Sequence, residues 1–288
     1  MASLRIIRRR IRSVRNTSQI TKAMEMVAAS KMRRAQARVM AARPYSEHIE
    51  MMIADLAARL GGDANLHPLL EQRATRNRTG MIVITSDRGL CGALNSNVIR
   101  RATAEMLDAG GPGVVEMVTV GRRGHDYMAR HGVRLQGSLT NLGDYPSIEA
   151  IRPAATIVMD DFVGGRIDAA FVVYPRFVNT LIQRVTVAQI LPVVPAESDG
   201  HRLEYIFEPG PAEILSELLP RYVEVQIYQA LLETIASEQS ARMITMRNAT
   251  DNAKELISTL TLVYNKARQA AITREIAEIA VGSGALSQ

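Results

Sequence analysis

The chain has 288 residues, 47% of them hydrophobic, with a formal net charge of +6 and one cysteine, Cys91. That length and apolar content support one large or two modest folded cores and exclude a disordered chain, and a single cysteine excludes an internal disulfide or a Cys-cluster metal site. No run approaches the ~18 uninterrupted apolar residues of a membrane span, and "MASLRIIRRRIRSV" lacks the apolar core and cleavage site of a secretory signal, so it reads as mature cytosolic protein.

The first predicted element is a long helix over residues 1–60. Positions 4, 7, 11, 14, 18, 21, 25, 28, 32, 35, 39, 42, 46, 49, 53, 56 and 60 form a heptad seam, apolar everywhere except Ser18, Thr21, Glu25 and Ser46. A heptad sustained over that distance is a coiled-coil signal. Residues 1–43 hold twelve Lys or Arg against one acid, Glu25, and none of the twelve falls on the seam. Within "NTSQITKAMEMVAASKMRRAQ" (16–36) a second apolar line, Ile20, Met24 and Val27, runs beside the place where the seam turns polar. Pro44 is expected to kink or restart the helix. The basic arm reads as a solvated helix face or as a surface for nucleic acid or an acidic protein partner, and two features speak against nucleic acid. Its arginines ring all the non-seam faces rather than one stripe, and an aromatic content of 4% without Trp leaves few stacking platforms.

The middle of the chain, 75–208, changes texture. "MIVITS" (81–86), "VVEMVTV" (114–120) and "AAFVVY" (169–174) are continuous apolar runs suited to buried parallel strands. Helical patterns at about 94–109, 122–131 and 147–164 alternate with them, and "TLIQRVTVAQILPV" (180–193) adds a longer, partly exposed strand. The alternation predicts a Rossmann-like α/β domain with a mostly parallel sheet. Gly61–Gly62 and "EPGP" (208–211) mark its junctions.

A second rod is predicted over 211–288. Its seam, from Leu218 through Leu232, Met246 and Leu260 to Ala271, fails only at the uncharged Gln229, Gln239 and Thr250. Pro211 and Pro220 suggest a lead-in turn over 211–218, and Gly282 and Gly284 a stop. Sixty helical residues at ~1.5 Å each span roughly 90 Å, and two such rods at opposite chain ends pair most simply as a long antiparallel coiled coil.

Catalytic patterns are scarce. "SDRGLCGALN" (86–95) is a Gly-bearing turn between strand and helix, where α/β sheets bind phosphates, but it has neither GxGxxG nor P-loop spacing. A tight turn shaping a domain edge or a protein contact is the preferred reading, and "VGRRG" (120–124) is read the same way. Arg88 beside Cys91 favours a lowered thiol pKa, yet no histidine neighbours it in sequence. The five histidines are scattered, and Asp160–Asp161 are adjacent rather than helically spaced. No catalytic residue, cofactor or metal site is expected.

"SVRNTSQITKAMEMVAASKMRRAQ", "SDRGLCGALN" and "SEQSARMITMRNATDNAKELISTLTLVYNKARQAAITREIAEIAVGSGAL" together resemble the γ subunits of F-type rotary ATP synthases, bacterial type. The resemblance implies a non-catalytic rotor shaft. The two terminal helices would stand as an antiparallel coiled coil inside a ring of α and β subunits. The central domain would meet the ε subunit and the membrane c-ring at the cytoplasmic side of the cell membrane. It also implies ring contacts at Ile20, Lys22, Met24, Val27 and Arg33 on the first rod, and at Arg242, Arg268, Gln269 and Thr273 on the second. Lys31 and Arg34 are expected to face acidic ring segments.

Overall fold

Two long helices frame the chain: α1 is Ala2–Arg59 and α5 is Pro211–Leu286. The computed structural model describes residues 2–59, 67–73, 76–195 and 210–286, so Gly61–Gly62 and residues 208–209 lie outside it. Helix α1 runs through Pro44 without a break, because Pro44 and the Met40 carbonyl it leaves without a partner both sit on an exposed face where solvent serves as donor. Likewise α5 includes Pro220 and both glycines of the expected stop. An isolated helical glycine costs only about 1 kcal/mol, too little to end a helix of this length.

The chain divides into two compact units, residues 1–28 with 243–288, and residues 29–242. In the first, α1 and α5 pair antiparallel: Thr21 meets Thr250 across the seam at 2.7 Å, and Arg8 reaches Tyr264, its guanidinium 5.4 Å from the ring centroid. Leu4, Ile7, Ile11, Val14 and Ser18 are half-buried and Thr21 and Ala28 buried, as the heptad requires. Met246, Thr250 and Ala253 are buried on α5, with Ile257, Leu260, Tyr264, Ala267 and Ala271 half-buried at the following seam positions. A polar failure of one heptad, Thr21, meets a polar failure of the other, Thr250. Each hydroxyl also has a carbonyl of its own helix as acceptor, Met246 at 2.8 Å for Thr250 and Ser18 at 3.1 Å for Thr21, so one of the two donates across the seam while the other bonds its own backbone.

The second unit is built on a five-stranded sheet of order β3-β2-β1-β4-β5. Its strands are β1 Thr79–Ile84, β2 Val115–Val120, β3 Leu135–Leu139, β4 Ala169–Phe177 and β5 Gln183–Leu191. All pairings are parallel except β4 with β5. Strand β1 shows why its sequence is apolar from Met81 to Ile84: Ile82 and Ile84 face one core, Met81 and Val83 the other. The first core takes α4 (Arg152–Val163) and the parts of α1 and α5 in this unit, including Ile53, Leu56, Leu219, Val223 and Ile235. The second takes α2 (Leu94–Asp108), with Val98, Ala102 and Met106, and α3 (Arg122–Arg130), with Met128. Over 29–59 and 211–242 the seam residues thus pack in the core that covers the sheet. Strand β3, "LQGSL", is absent from the sequence reading because its five residues are only half-buried at alternate positions. A side chain at Gly137 would lie 2.7 Å from Ile157, so glycine is what lets α4 pack close there.

Candidate functional site

The strand order reverses at β1, with β2 and β3 on one side and β4 on the other. In a sheet of this kind the crevice beyond the strand ends at that point is where a nucleotide would lie. Here α5 occupies it. Arg242 Nη2 donates to the Gly89 carbonyl at 3.1 Å, the Ser240 hydroxyl to the Thr180 carbonyl at 2.6 Å, and the Ser237 hydroxyl to the Pro175 carbonyl at 2.8 Å. Residues that follow β1 and residues at the end of β4 are thereby tied to one face of the helix.

The loop after β1 is satisfied internally. Asn95 Oδ1 accepts from the Ser86 amide at 3.0 Å, the Ser86 hydroxyl donates to the Arg88 carbonyl at 2.6 Å, and Asn95 Nδ2 lies 3.3 Å from Cys91 Sγ. Leu90 and Gly92 turn the chain with φ of 63° and 60°. The second Gly-bearing turn locks onto the first: Gly121 has φ 98°, and a Cβ there would stand 2.0 Å from the Thr85 carbonyl oxygen. The Gly124 amide donates to the Thr85 hydroxyl at 2.8 Å, and the Arg122 amide to Asp87 Oδ1 at 2.9 Å. The two turns thus bond and pack against each other at the strand ends. Arg122 also holds Asn141 at 2.7 Å.

Electrostatics agree with a structural role. Burial pushes the Glu238 carboxyl up, reinforced by Asp144 and Asp87 and opposed by Arg242, which it contacts at 2.5 Å. Burial also pushes the Cys91 thiol up, outweighing the Ser86 hydrogen bond and Arg242. The lowering expected from Arg88 does not operate, and a buried neutral thiol is a poor nucleophile. Among the described residues no group of three His, Cys, Asp or Glu side chains is placed to hold a metal.

The residues singled out as ring contacts divide between the units. In the first, Ile20 is 61% and Val27 54% exposed, Met24 is half-buried, and Arg268, Gln269 and Thr273 are exposed. Lys22 is exposed and bonded to Glu25 at 3.0 Å. The same unit exposes Ile6, Met26, Leu256, Leu262, Val263 and Ile272, apolar residues not singled out in the sequence as ring contacts. Their signal was present: each is a large apolar side chain off the seam in a helix whose seam is already accounted for. In the second unit Arg33 is exposed, but Arg242 is buried, held by Glu238 and Gly89. It lies just before the seam position Met243, on the flank that the β1 loop covers. Lys31 is also engaged within the chain, 2.6 Å from Asp144, and the guanidiniums of Arg34 and Arg38 lie 5.6 and 4.4 Å from the Tyr145 ring centroid.

Comparison with known proteins shows what shares this arrangement. A family model described as ATP synthase matches residues 3–286. The ATP synthase gamma chain of Chloroflexus aurantiacus is 51% identical over 289 residues, and that of Dehalococcoides mccartyi (strain 195) 52% identical over 288, each alignment covering all of both chains. Among solved structures, one of the Tetrahymena thermophila mitochondrial ATP synthase central stalk and c-ring is 25% identical with a TM-score of 0.61, covering 80% of this chain and 99% of that one. A Euglena gracilis mitochondrial ATP synthase chain, 20% identical, reaches a TM-score of 0.67 over 99% of this chain and 95% of its own, a likeness of fold. With full-length identity above half to curated bacterial gamma chains, the chain belongs to the ATP synthase gamma-chain family.

Proposed function

We propose that this chain is the central rotor shaft of a proton-translocating ATP synthase, itself non-catalytic, linking rotation of the membrane c-ring to conformational change at the catalytic β subunits. The observation that carries the reading is the first unit's surface: a paired two-helix rod with a closed seam exposes a second set of large apolar side chains, Ile20, Met26, Val27, Leu262 and Ile272 among them. A solvated rod has no use for these; a rod that slides inside a ring of α and β subunits does. The filled strand-end crevice supports a domain that transmits torque and contacts an ε subunit and the c-ring. No described helix is long and apolar enough to cross a membrane, which fits peripheral attachment at the cytoplasmic face.

The energetic requirement is differential contact. Rotation changes nucleotide affinity at a β site only if that site meets a different face of the rod at each angle. Apolar contacts and exposed charge pairs, each typically below ~1 kcal/mol, form and break without trapping any angle. Ile20, Lys22, Met24, Val27, Arg33, Arg268, Gln269 and Thr273 are the proposed ring-facing set. Arg242 joins it only if the ring displaces Gly89 or Glu238 from its guanidinium.

Reconstitution with bacterial α and β subunits tests the reading. One copy of this chain per ring, with hydrolysis that depends on it, is expected; a chain that stays free of the ring refutes it. In the full complex, Met24→Lys puts a charge on a half-buried position of the rod, where ring contact desolvates it at some angles and not at others, and proton pumping per ATP hydrolysed falls. An unchanged ratio counts against the assignment of that face.

A further inference from the structure

The turn between β4 and β5 is apolar where surface turns are ordinarily polar. Within "VNTLI" (178–182), Leu181 is 77%, Ile182 51% and Val178 49% exposed. Side chains this open add little to the fold, and large apolar groups clustered in water mark a surface that another molecule covers. The turn is nevertheless held firmly. Asn179 Oδ1 accepts from the amides of Leu181 and Ile182, both at 2.9 Å, and the Ile182 carbonyl accepts from the amides of Val178 at 3.3 Å and Asn179 at 3.2 Å. The Ser240 hydroxyl of α5 donates to the Thr180 carbonyl at 2.6 Å. A tip ordered in advance loses little conformational freedom on association.

The ladder beside the turn carries a second anomaly. Arg176 of β4 and Arg184 of β5 are register partners, so their side chains stand next to each other on the sheet face shared with the pair Val172 and Ala188. Both are exposed, and like charges directly opposite destabilise a ladder. From Ala169 to Leu191 these two arginines are the only charged residues. Neither side chain makes an ion pair or hydrogen bond among the described residues. Arg176 lies near the Glu233 carboxyl, but burial pushes that carboxyl up and weakens it as a counter-charge.

Three exposed apolar side chains beside two unneutralised guanidiniums define the complementary surface: apolar at its centre, with carboxylates at its edge. Such a partner covers the turn and also removes the repulsion between the arginines, which nothing in the free chain relieves. On the rotor reading the rod that begins at Met243 is enclosed by protein, so a turn fastened at Ser240 meets protein rather than lipid.

We propose that the end of the β4–β5 hairpin docks a protein segment of the assembled complex that presents an apolar side chain between carboxylates, covering Val178, Leu181 and Ile182 and pairing with Arg176 and Arg184. The proposal rests on the rotor reading for the existence of that complex. It makes Arg184 a recognition residue that works against folding, since in the free chain its guanidinium only repels a neighbour.

Two measurements on one variant separate docking from folding. Arg184→Glu turns the like pair into an opposite pair, so the thermal unfolding midpoint of the free chain is expected to rise by about 1–3 °C. In the complete complex, a photoreactive phenylalanine derivative replaces Leu181. Irradiation is expected to join position 181 to a partner peptide in which Asp or Glu flanks the joined residue, and R184E to lower that yield at least about fivefold. Crosslinks confined to this chain or made to lipid, a partner peptide without flanking acids, equal yields with and without R184E, or a midpoint that does not rise each overturn the proposal. ATPase stimulation measured on the same preparations separates the two ideas. If stimulation is intact and no Arg184-dependent crosslink forms, the docking surface alone is refuted. If no stimulation occurs in any preparation, wild type included, the rotor reading fails.

Discussion

Replacing Arg242 with alanine tests whether the strand-end crevice is closed by a charge network. The substitution removes the cation 2.5 Å from Glu238 and the donor 3.1 Å from the Gly89 carbonyl. Glu238, with a side chain 13% exposed, then faces Asp144 and Asp87 with no compensation from Arg242. It escapes by taking up a proton. From an ordinary pKa of 4.5, that uptake at pH 7 costs about 3.4 kcal/mol, in line with the ~3–5 kcal/mol typical of breaking a buried pair. The lost bond to Gly89 adds about 1 kcal/mol at any pH.

The sign follows from the raised carboxyl. Glu238 binds its proton more tightly folded than unfolded, so its penalty is absent below pH 4.5 and grows as pH rises through the interval up to the folded value. Without Arg242 that interval widens. Urea unfolding of the full chain, followed by circular dichroism and tyrosine fluorescence, is expected to show R242A destabilised by about 3–4 kcal/mol at pH 7 and by less than about 2 kcal/mol at pH 5. Adding Glu238→Gln removes the pH-dependent part. An equal loss at both pH values, or a double variant less stable than R242A, would refute the reasoning.

Three further outcomes follow from other contacts. Thr21→Val and Thr250→Val should each destabilise the first unit by about 1 kcal/mol, while the double variant is near neutral because both hydroxyls leave together; hydrogen exchange over 17–28 and 245–256 reads the cycle, and additive losses would contradict it. Gly121→Ala should cost more than about 3 kcal/mol, since the new Cβ meets the Thr85 carbonyl at 2.0 Å with φ at 98°; a soluble variant with unchanged unfolding midpoint would show that the two loops are not locked. Asp168 accepts from the amides of Asn77 and Arg78 and from Arg73, which hold its carboxyl below the usual range. Its stabilisation is present above pH 3.8 and lost as pH falls through the folded value, so Asp168→Asn costs about 1 kcal/mol at pH 6 after solvent screening and progressively less as the pH is lowered through that value.

The sequence by itself determined the seams, since every position between Leu4 and Leu56 picked out by the heptad is at least half withdrawn from solvent, while the off-seam Ile20 and Val27 are exposed. Such patterns are legible because helix geometry ties spacing to face with no knowledge of the partner. The buried strands were legible for a similar reason: a strand covered on both faces takes apolar residues at successive positions, as in Met81–Ile84 of β1. Strand β3 was not, because an edge with alternate half-buried residues and a glycine carries little apolar signal. Helix continuity through Pro44, Pro220 and Gly282 also went against local propensity, which cooperative hydrogen bonding on either side outweighs.

Only the tertiary structure decided which charges are free. Arg242 and Lys31 look like surface cations in the sequence, yet Glu238, Gly89 and Asp144 claim them from distant parts of the chain. It also decided that Thr21 meets Thr250. Spacing reports which face a residue occupies; the partner it finds there depends on which loop or helix the fold brings against that face, and the strength of the contact depends on how much water is excluded when it arrives.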